Sequence, residues 1–181
     1  MCKLKSAIIL KDSVFIPDYD SHSKMLKELQ IEDTKNNAER LFVRAELYPK
    51  DGDVFSPIDQ WKFNVDQDIV PDWYVAGYDE ERMRAAVKDW AKSHIHIGEN
   101  DITINCGSNH YIKDCKNVAV YGSASISEVY GSAIISSPSF GWKNKEKVVI
   151  SENATFKDNQ TKTIWQSGDW KIEILNKENK E

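Results

Sequence analysis

The chain has 181 residues, with 24 lysine and arginine residues against 29 aspartate and glutamate residues, a formal net charge of -5 and 40% hydrophobic residues. This composition excludes an intrinsically disordered chain, because there are enough apolar side chains to bury a core. The mild acidity argues against a general DNA-binding or membrane-surface protein, because contacts to phosphate groups require clustered lysine and arginine.

No segment predicts export or membrane insertion. The first apolar run, residues 7–10, is too short for a signal peptide, and no run approaches the length of about 18 apolar residues that a membrane span requires. Three cysteines, Cys2, Cys106 and Cys115, cannot all pair within one chain, which favours a reducing compartment. We therefore expect a cytoplasmic protein.

The first hundred residues predict strands and two helices. Residues 7–10 and 14–16 read as a β-hairpin, and a first helix follows an N-cap at Asp20 or Ser21. Residues 41–47 alternate between apolar and charged side chains, which predicts a half-buried strand. A turn around Asp-Gly and a further strand near residues 61–65 come next.

The second helix is the clearest element of the chain. Asp79 is its candidate N-cap, followed by two glutamates that suit the positive end of a helix dipole. A short alternating strand over residues 94–97 follows it. The helix should bury one face, formed by apolar side chains at helical spacing: Met83, Ala86, Val87, Trp90 and Ala91.

A repeat begins after residue 101. Val118, Ile126 and Ile134 recur every eight residues, and the string Tyr-Gly-Ser-Ala occurs at 121–124 and again at 130–133. Short units of small residues with one β-branched residue are typical of β-solenoid rungs, which bury little alone and stack on their neighbours. A meander of short strands is the alternative interpretation.

The C-terminal residues predict strands at 148–150, 163–166 and 170–175, with a hairpin turn at Gly168 and Asp169. The predicted fold class is therefore α+β: N-terminal strands with two helices, then a short β-solenoid or meander and a C-terminal antiparallel β unit. We place an α+β domain at residues 1–100 and a repeat-containing β region with a C-terminal hairpin at 101–181.

The charge is concentrated in residues 46–81, which we call the acidic segment. It contains ten acidic and two basic residues, a net charge of -8, so the rest of the chain sums to +3. Carboxylates interleaved with aromatic side chains suit contact with a basic partner surface. The alternative is a set of solvated turns and caps. The candidate partner-binding residues are Asp51, Asp53, Asp59, Trp61, Asp66, Asp68, Asp72 and Trp73.

The residue pattern gives little indication of a catalytic site or a metal site. The pairs Asp51/Asp53 and Asp66/Asp68 supply carboxylates for a hard cation, but neither has a third ligand nearby in sequence. Cys106, His110 and Cys115 lack the two short pairs of a structural zinc site, and nothing local marks an activated thiolate. We expect no enzyme activity, no cofactor and no bound metal.

Four strings resemble a family of small phage and prophage proteins of gut Firmicutes: residues 14–20, 42–47, 51–74 and 111–118. The resemblance covers about residues 4–120, and the 51–74 string is its most specific part. In that family a longer Ser-Ser-Val repeat follows, of which this chain keeps about three units. Such a protein is similar in kind to phage inhibitors of host defence, including type II-A anti-CRISPR proteins.

The resemblance implies a non-enzymatic protein that inhibits a host nuclease by stoichiometric binding in the host cytoplasm. Its partner would be a basic nucleic-acid-binding effector such as a Cas nuclease, with no membrane contact and no direct nucleic-acid binding. The chain would act as a monomer or small homo-oligomer. The alternatives are a structural phage protein that assembles through its solenoid and a metal-dependent hydrolase that uses the aspartate pairs.

Overall fold

A computed structural model describes residues 5–49, 51–137, 149–159 and 163–168 of the chain. An antiparallel sheet and its helices lead directly into a β-solenoid of about three turns, which is followed by an antiparallel strand pair. The fold class is thus α+β, as predicted. The predicted β-solenoid is confirmed, and the alternative of a meander is not. The predicted strand 170–175 lies outside the described residues.

The N-terminal sheet has four strands in the order β2-β1-β3-β4, all antiparallel. The predicted hairpin is confirmed, closed by a hydrogen bond from the Leu10 N–H to the Ser13 carbonyl at 2.8 Å. A long loop with a 3-10 turn at Ile58–Gln60 joins the last two strands. The strands are β1 (Lys5–Leu10), β2 (Val14–Phe15), β3 (Phe42–Tyr48) and β4 (Lys62–Val65).

Helices cover both faces of this sheet. On β3, Val43 and its alternate neighbours pack against the long helix α3 (Ala76–His94), as the alternation predicts. The opposite face is also covered, because Phe42 packs with α1 (His22–Glu28) and α2 (Lys35–Ala38). The prediction of a half-buried strand is therefore wrong: even Glu46, on the charged face, is only 7% exposed.

The helix starts differ in part from the sequence prediction. Ser21 is the N-cap of α1, and the carboxylate of Asp20 instead accepts a hydrogen bond from the Ser6 N–H at 2.9 Å. The long helix begins three residues before Asp79, whose carboxylate reaches back to accept the Val75 N–H at 2.8 Å. Asp79 thus stabilises the start of α3 from a position inside the helix and is not its N-cap residue. The short helix α2, with Thr34 as its N-cap, was not predicted.

The solenoid begins directly after α3. Its strands alternate between two parallel sheets, so an eight-residue sequence period corresponds to one strand and two periods to one turn. In the pairs Thr103 with Ala119 and Val118 with Ile135, equivalent positions in successive turns lie 16 or 17 residues apart, and in the last described turn the offset is 21 residues. The strands are β5 (Ile95–Ile97), β6 (Thr103–Ile104), β7 (His110–Lys113), β8 (Val118–Val120), β9 (Ile126–Tyr130), β10 (Ile134–Ser137), β11 (Val149–Ile150) and β12 (Thr155–Asp158).

The sequence period is interrupted once. Val118 and Ile126 are buried in the solenoid core, but the third member, Ile134, is only partly buried and Ile135 takes the inward position. A register shift at His110/Tyr111 shows the same extra residue in the other sheet. The final strand β13 (Thr163–Gln166) pairs antiparallel with β12, which confirms a C-terminal antiparallel unit.

The repeated Tyr-Gly-Ser-Ala string forms the turn between the two solenoid sheets. Its glycines, Gly122 and Gly131, have φ of 58° and 65°, a region that L side chains avoid. Its alanines, Ala124 and Ala133, are fully buried. A Cβ atom at Gly122 would lie 2.7 Å from the Asn105 carbonyl oxygen of the preceding turn. The repeat therefore encodes close stacking of turns.

Replacing Gly122 with alanine should lower the free energy of unfolding by about 2 kcal/mol, from the strained φ and the clash with backbone. Gly77 provides a matched control, because it lies in α3 and a Cβ atom added there would have no neighbouring atom within 4 Å. Gly77→Ala should be neutral or slightly stabilising. Urea denaturation of both variants measures the difference, and equal stabilities would contradict this turn geometry.

The two parts of the chain share a core. Tyr111 of β7 and Ile95 of β5 pack with Met83 and Val87 of α3 in the same apolar cluster as the N-terminal sheet. The solenoid therefore begins at Ile95 and rests on the N-terminal unit. Among the described helices, none is both long enough and apolar enough to cross a membrane.

Candidate functional site

The fold separates the aspartate pairs of the acidic segment. The loop that holds Asp51 and Asp53 leaves β3 after Tyr48, at one end of the strand. Asp66 instead lies opposite Arg44, whose carbonyl accepts its N–H at 2.8 Å. Four residues along a strand span about 14 Å. The acidic segment therefore does not form one continuous patch.

The solenoid supplies further carboxylates to the Asp51/Asp53 loop. Glu128 and Glu152 line the same cleft of about 320 Å³, although both lie far outside the acidic segment in sequence. One lysine accompanies the four acids, so the side chains around the opening sum to a net charge of -3. We call this the acidic cleft, and its lining is Asp51, Gly52, Asp53, Val54, Phe55, Lys113, Glu128, Tyr130 and Glu152.

Local contacts shape the acidic cleft. The Asp53 carboxylate accepts the Phe55 N–H at 3.0 Å, which orders the loop after the left-handed Gly52. The Phe55 ring meets the Tyr130 ring edge-on, with centroids 5.6 Å apart, and Lys113 Nζ lies 5.4 Å from the Phe55 ring centre. The aromatic pair thus joins the loop to the solenoid and forms an apolar wall beside the carboxylates.

The carboxylates of the cleft create a negative electrostatic potential, which is reflected in the pKa of Tyr130. The charge of Glu128 is the main cause that raises the pKa of Tyr130 above its usual value, and Glu152 acts in the same direction. The same negative potential that disfavours the tyrosinate anion attracts a cation that enters the cleft. The arrangement can hold a lysine or arginine side chain, whose apolar stem would contact the aromatic wall.

The remaining predicted residues lie elsewhere. Asp59 pairs with Lys88 of α3 at 2.7 Å, and Asp68 and Asp72 are exposed. Trp73 is half-buried and donates its indole N–H to the Arg40 carbonyl at 2.8 Å.

Trp61 requires a correction. Its side chain is 1% exposed and belongs to the core between the sheet and α3. Its indole N–H donates to the Ser56 carbonyl at 3.0 Å. Trp61 is therefore a core residue and offers no surface to a partner, because a hydrophobic position in a charged segment does not reveal which side of the chain it faces.

Asp66 joins residues that sequence spacing could not connect. It lies with His22 of α1 and Glu46 of β3 in a group whose ligand atoms are all within 4.8 Å of one another. Asp68, its predicted partner, is not a member. Among the described residues, this is the group whose geometry suits a metal ion. We call it the His22 cluster.

Three other histidines stack around a second cavity, of about 350 Å³. The ring of His110 stacks with those of His94 and His96, with centroids 4.9 and 5.8 Å away. His94 Nε2 faces Asp18 Oδ1 at 3.1 Å, and exposed Cys106 also lines the cavity. Burial is the main cause that lowers the pKa of His110 to about 4, so this ring is neutral at pH 7.

The cysteine-based zinc site is not formed by the described residues. Cys115 is fully buried in the solenoid core, while Cys106 lies at the surface. Burial also raises the pKa of Cys115, which leaves its thiol protonated and a poor nucleophile at neutral pH. Solenoid packing therefore accounts for Cys115, and Cys106 is not part of that core.

Comparisons of the chain with protein-family models, with curated proteins and with solved structures found no match. The geometry and charge of this chain's own residues are therefore the basis for proposing a function. Within the part of the chain that the structure describes, the acidic cleft combines a cavity, a net negative charge and an apolar wall.

Proposed function

We propose that this chain is a non-enzymatic binding protein that inhibits a nucleic-acid-targeting effector of a host cell. In this proposal the acidic cleft receives a lysine or arginine from the basic surface where the effector holds nucleic acid. The observation that carries the proposal is the convergence of Asp51 and Asp53 with Glu128 and Glu152 beside the Phe55 ring.

Charge complementarity supports the mode of action. Surfaces that bind nucleic acid carry clustered lysine and arginine, because each contacts a phosphate group. A protein with carboxylates at the matching positions competes for those side chains and is steered toward them by long-range attraction. The resemblance to phage proteins implies an effector such as a Cas nuclease, for which the cleft supplies a contact surface of the right sign.

The aromatic wall adds affinity that charge alone does not provide. An exposed ion pair contributes about 0–1 kcal/mol, so four carboxylates in water make a weak site. A guanidinium or ammonium group near an aromatic face gains about 0.5–2 kcal/mol more as it is desolvated. Lys113 already lies near the Phe55 ring in this way. A partner cation would join or displace it.

The proposal is tested by titrating the protein into a purified type II-A Cas9 loaded with guide RNA and measuring DNA cleavage. Inhibition should saturate at a fixed molar ratio and weaken as salt rises, because screening acts on exposed charges. No inhibition at a large excess over the effector would refute the inhibitor proposal.

Charge-neutralising variants locate the surface. The double variant Asp51→Asn/Asp53→Asn should weaken inhibition about tenfold, from the loss of two carboxylate contacts. The double variant Asp68→Asn/Asp72→Asn removes the same charge from exposed positions outside the cleft and should have little effect. If both double variants behave alike, the acidic cleft is not the contact surface.

Assembly through the solenoid is the second candidate function, and one observation favours it. Stacked parallel strands leave sheet edges at the ends of a solenoid, and such edges can pair with another chain. In the described five-stranded sheet, the edges are β6 and β13. Size-exclusion chromatography with light scattering distinguishes the two: growing oligomers with rising concentration support assembly, and a constant small mass supports the inhibitor.

A further inference from the structure

We propose that the His22 cluster, composed of His22, Glu46 and Asp66, is a binding site for a divalent transition metal ion, with Zn²⁺ as the best fit. Three separate elements bring the residues together. His22 opens α1, Glu46 lies on the face of β3 that α1 covers, and Asp66 follows β4. The ligand atoms of all three lie within 4.8 Å of one another.

The orientation of the His22 ring suits a metal ligand. Its Nε2 lies 3.2 Å from the Ala45 carbonyl oxygen, which can only accept, so Nε2 carries the hydrogen and donates it. In the neutral ring Nδ1 then carries the lone pair, and it lies 3.2 Å from Asp66 Oδ2. Metal-binding histidines commonly have their second nitrogen held in this way by a backbone carbonyl.

Burial and charge at the cluster also favour a cation. Glu46 is 7% exposed and His22 is 5% exposed, whereas the side chain of Asp66 is 54% exposed. Two carboxylates this close together repel each other, and burial makes that repulsion stronger than it would be in water. A divalent ion bound by both carboxylates would offset this repulsion. His22 and Glu46, which are buried, would form the fixed part of the site.

The donor set selects the class of metal. One imidazole nitrogen and two carboxylate oxygens are ligands of Zn²⁺, with water in the fourth position. Mg²⁺ prefers oxygen ligands in an octahedral arrangement and disfavours imidazole. Zinc bonds of about 2.1 Å place donor atoms about 3.4 Å apart in a tetrahedron, so donor atoms that are up to 4.8 Å apart must approach by up to about 1.4 Å. The exposed Asp66 side chain can make this movement.

The metal would join α1 to the sheet. His22 lies at the start of the helix, and the two carboxylates belong to the β3–β4 pair, so one ion connects the helix with two strands. An ion that binds the folded state alone raises the stability of that state. Because Asp66 lies at the opposite end of β3 from the acidic cleft, this inference does not depend on the proposed function.

Isothermal titration calorimetry of the metal-stripped full chain with Zn²⁺, and separately with Mg²⁺, tests the site. We expect saturable Zn²⁺ binding with a higher thermal midpoint, and no heat with Mg²⁺. Asp66→Asn should weaken Zn²⁺ binding at least about tenfold, because one ligand of three is lost. Asp68→Asn, which removes the same charge two residues along the chain, is the matched control and should bind as the wild type does.

Nuclear magnetic resonance of the histidine nitrogens identifies the ligand directly. Zn²⁺ should shift the His22 Nδ1 signal while Nε2 keeps its hydrogen, and the signals of the other three histidines should stay in place. No Zn²⁺ heat in the wild type, equal affinities of Asp66→Asn and Asp68→Asn, or a shift at His94, His96 or His110 instead of His22 would each overturn the proposal. Asp66 is exposed enough for its variant to fold.

Discussion

Replacing Trp61 with alanine should lower the free energy of unfolding by about 3–5 kcal/mol, the usual cost of deleting a large buried aromatic side chain. The ring is 1% exposed and packs in the cluster that joins the N-terminal sheet to α3. Its removal would leave a cavity and take away the indole donor of the bond to Ser56. The backbone carbonyl of the same residue accepts from Arg84 of α3 at 2.8 Å.

Two comparisons make this prediction specific. Trp61→Phe keeps most of the apolar volume and loses the hydrogen bond, so its loss of stability should be smaller than that of Trp61→Ala. Tyr78→Ala removes an aromatic ring that is 62% exposed on α3 and should change stability by less than about 0.5 kcal/mol. Chemical denaturation monitored by circular dichroism measures all three. If Trp61→Ala were as stable as Tyr78→Ala, Trp61 would not be in the core.

Acidification should destabilise the protein through His110. Burial lowers the pKa of His110 to about 4, while in the unfolded chain the pKa has its ordinary value of 6.5. Between these two pH values the unfolded state binds a proton that the folded state does not, so stability is greatest above pH 6.5 and falls as the pH drops toward 4. A difference of this size corresponds to about 3 kcal/mol.

The groups around His110 explain why protonation is disfavoured in the folded state. The rings of His94 and His96 stack with that of His110 and lower its pKa further when they are charged, whereas the Cys106 carbonyl and Asp18 act in the opposite direction. His110→Gln should remove most of this acid-linked loss and retain a donor toward the Cys106 carbonyl. The expected readout is a smaller change in urea midpoint between about pH 7 and pH 4.5.

Cys106→Ser is the control for this experiment. It alters the exposed side chain that lines the same cavity and leaves His110 in place, so it should keep the full acid sensitivity of the wild type. Acid sensitivity that persists unchanged in His110→Gln would show that other groups cause it, and the buried neutral state of His110 would then be wrong.

Local patterns predicted most of the elements. The hairpin of β1 and β2, the apolar face of α3 and the alternation of β3 follow from side-chain periodicity, which depends only on neighbouring residues. The eight-residue repeat predicted the solenoid, because a single repeat cannot bury its apolar side chains unless it stacks on its neighbours. The start of α3 was misplaced because Asp79 caps from within the helix instead of before it.

The sequence shows correctly where negative charge is concentrated along the chain, but it does not show which carboxylates lie together in the fold. The net charge of -8 in the acidic segment is a property of the sequence alone, but in the fold Asp51 and Asp53 follow one end of β3 and Asp66 lies toward the other. Glu128 and Glu152 then join Asp51 and Asp53 from the solenoid, more than 70 residues later in the sequence. Net charge within a window contains no information about such contacts.

Sequence patterns alone predicted the α+β class and the apolar face of α3 and favoured a solenoid over a meander, because these features depend on short-range periodicity and turn chemistry. The packing of the elements on one another sets which residues meet: Trp61 in the core, Asp66 beside His22 and Glu46, and the carboxylates of the acidic cleft. These meetings join helix, strand and solenoid across long sequence separations. They are set by how α1, α3 and the first solenoid turn pack on the sheet, and no local pattern records that packing.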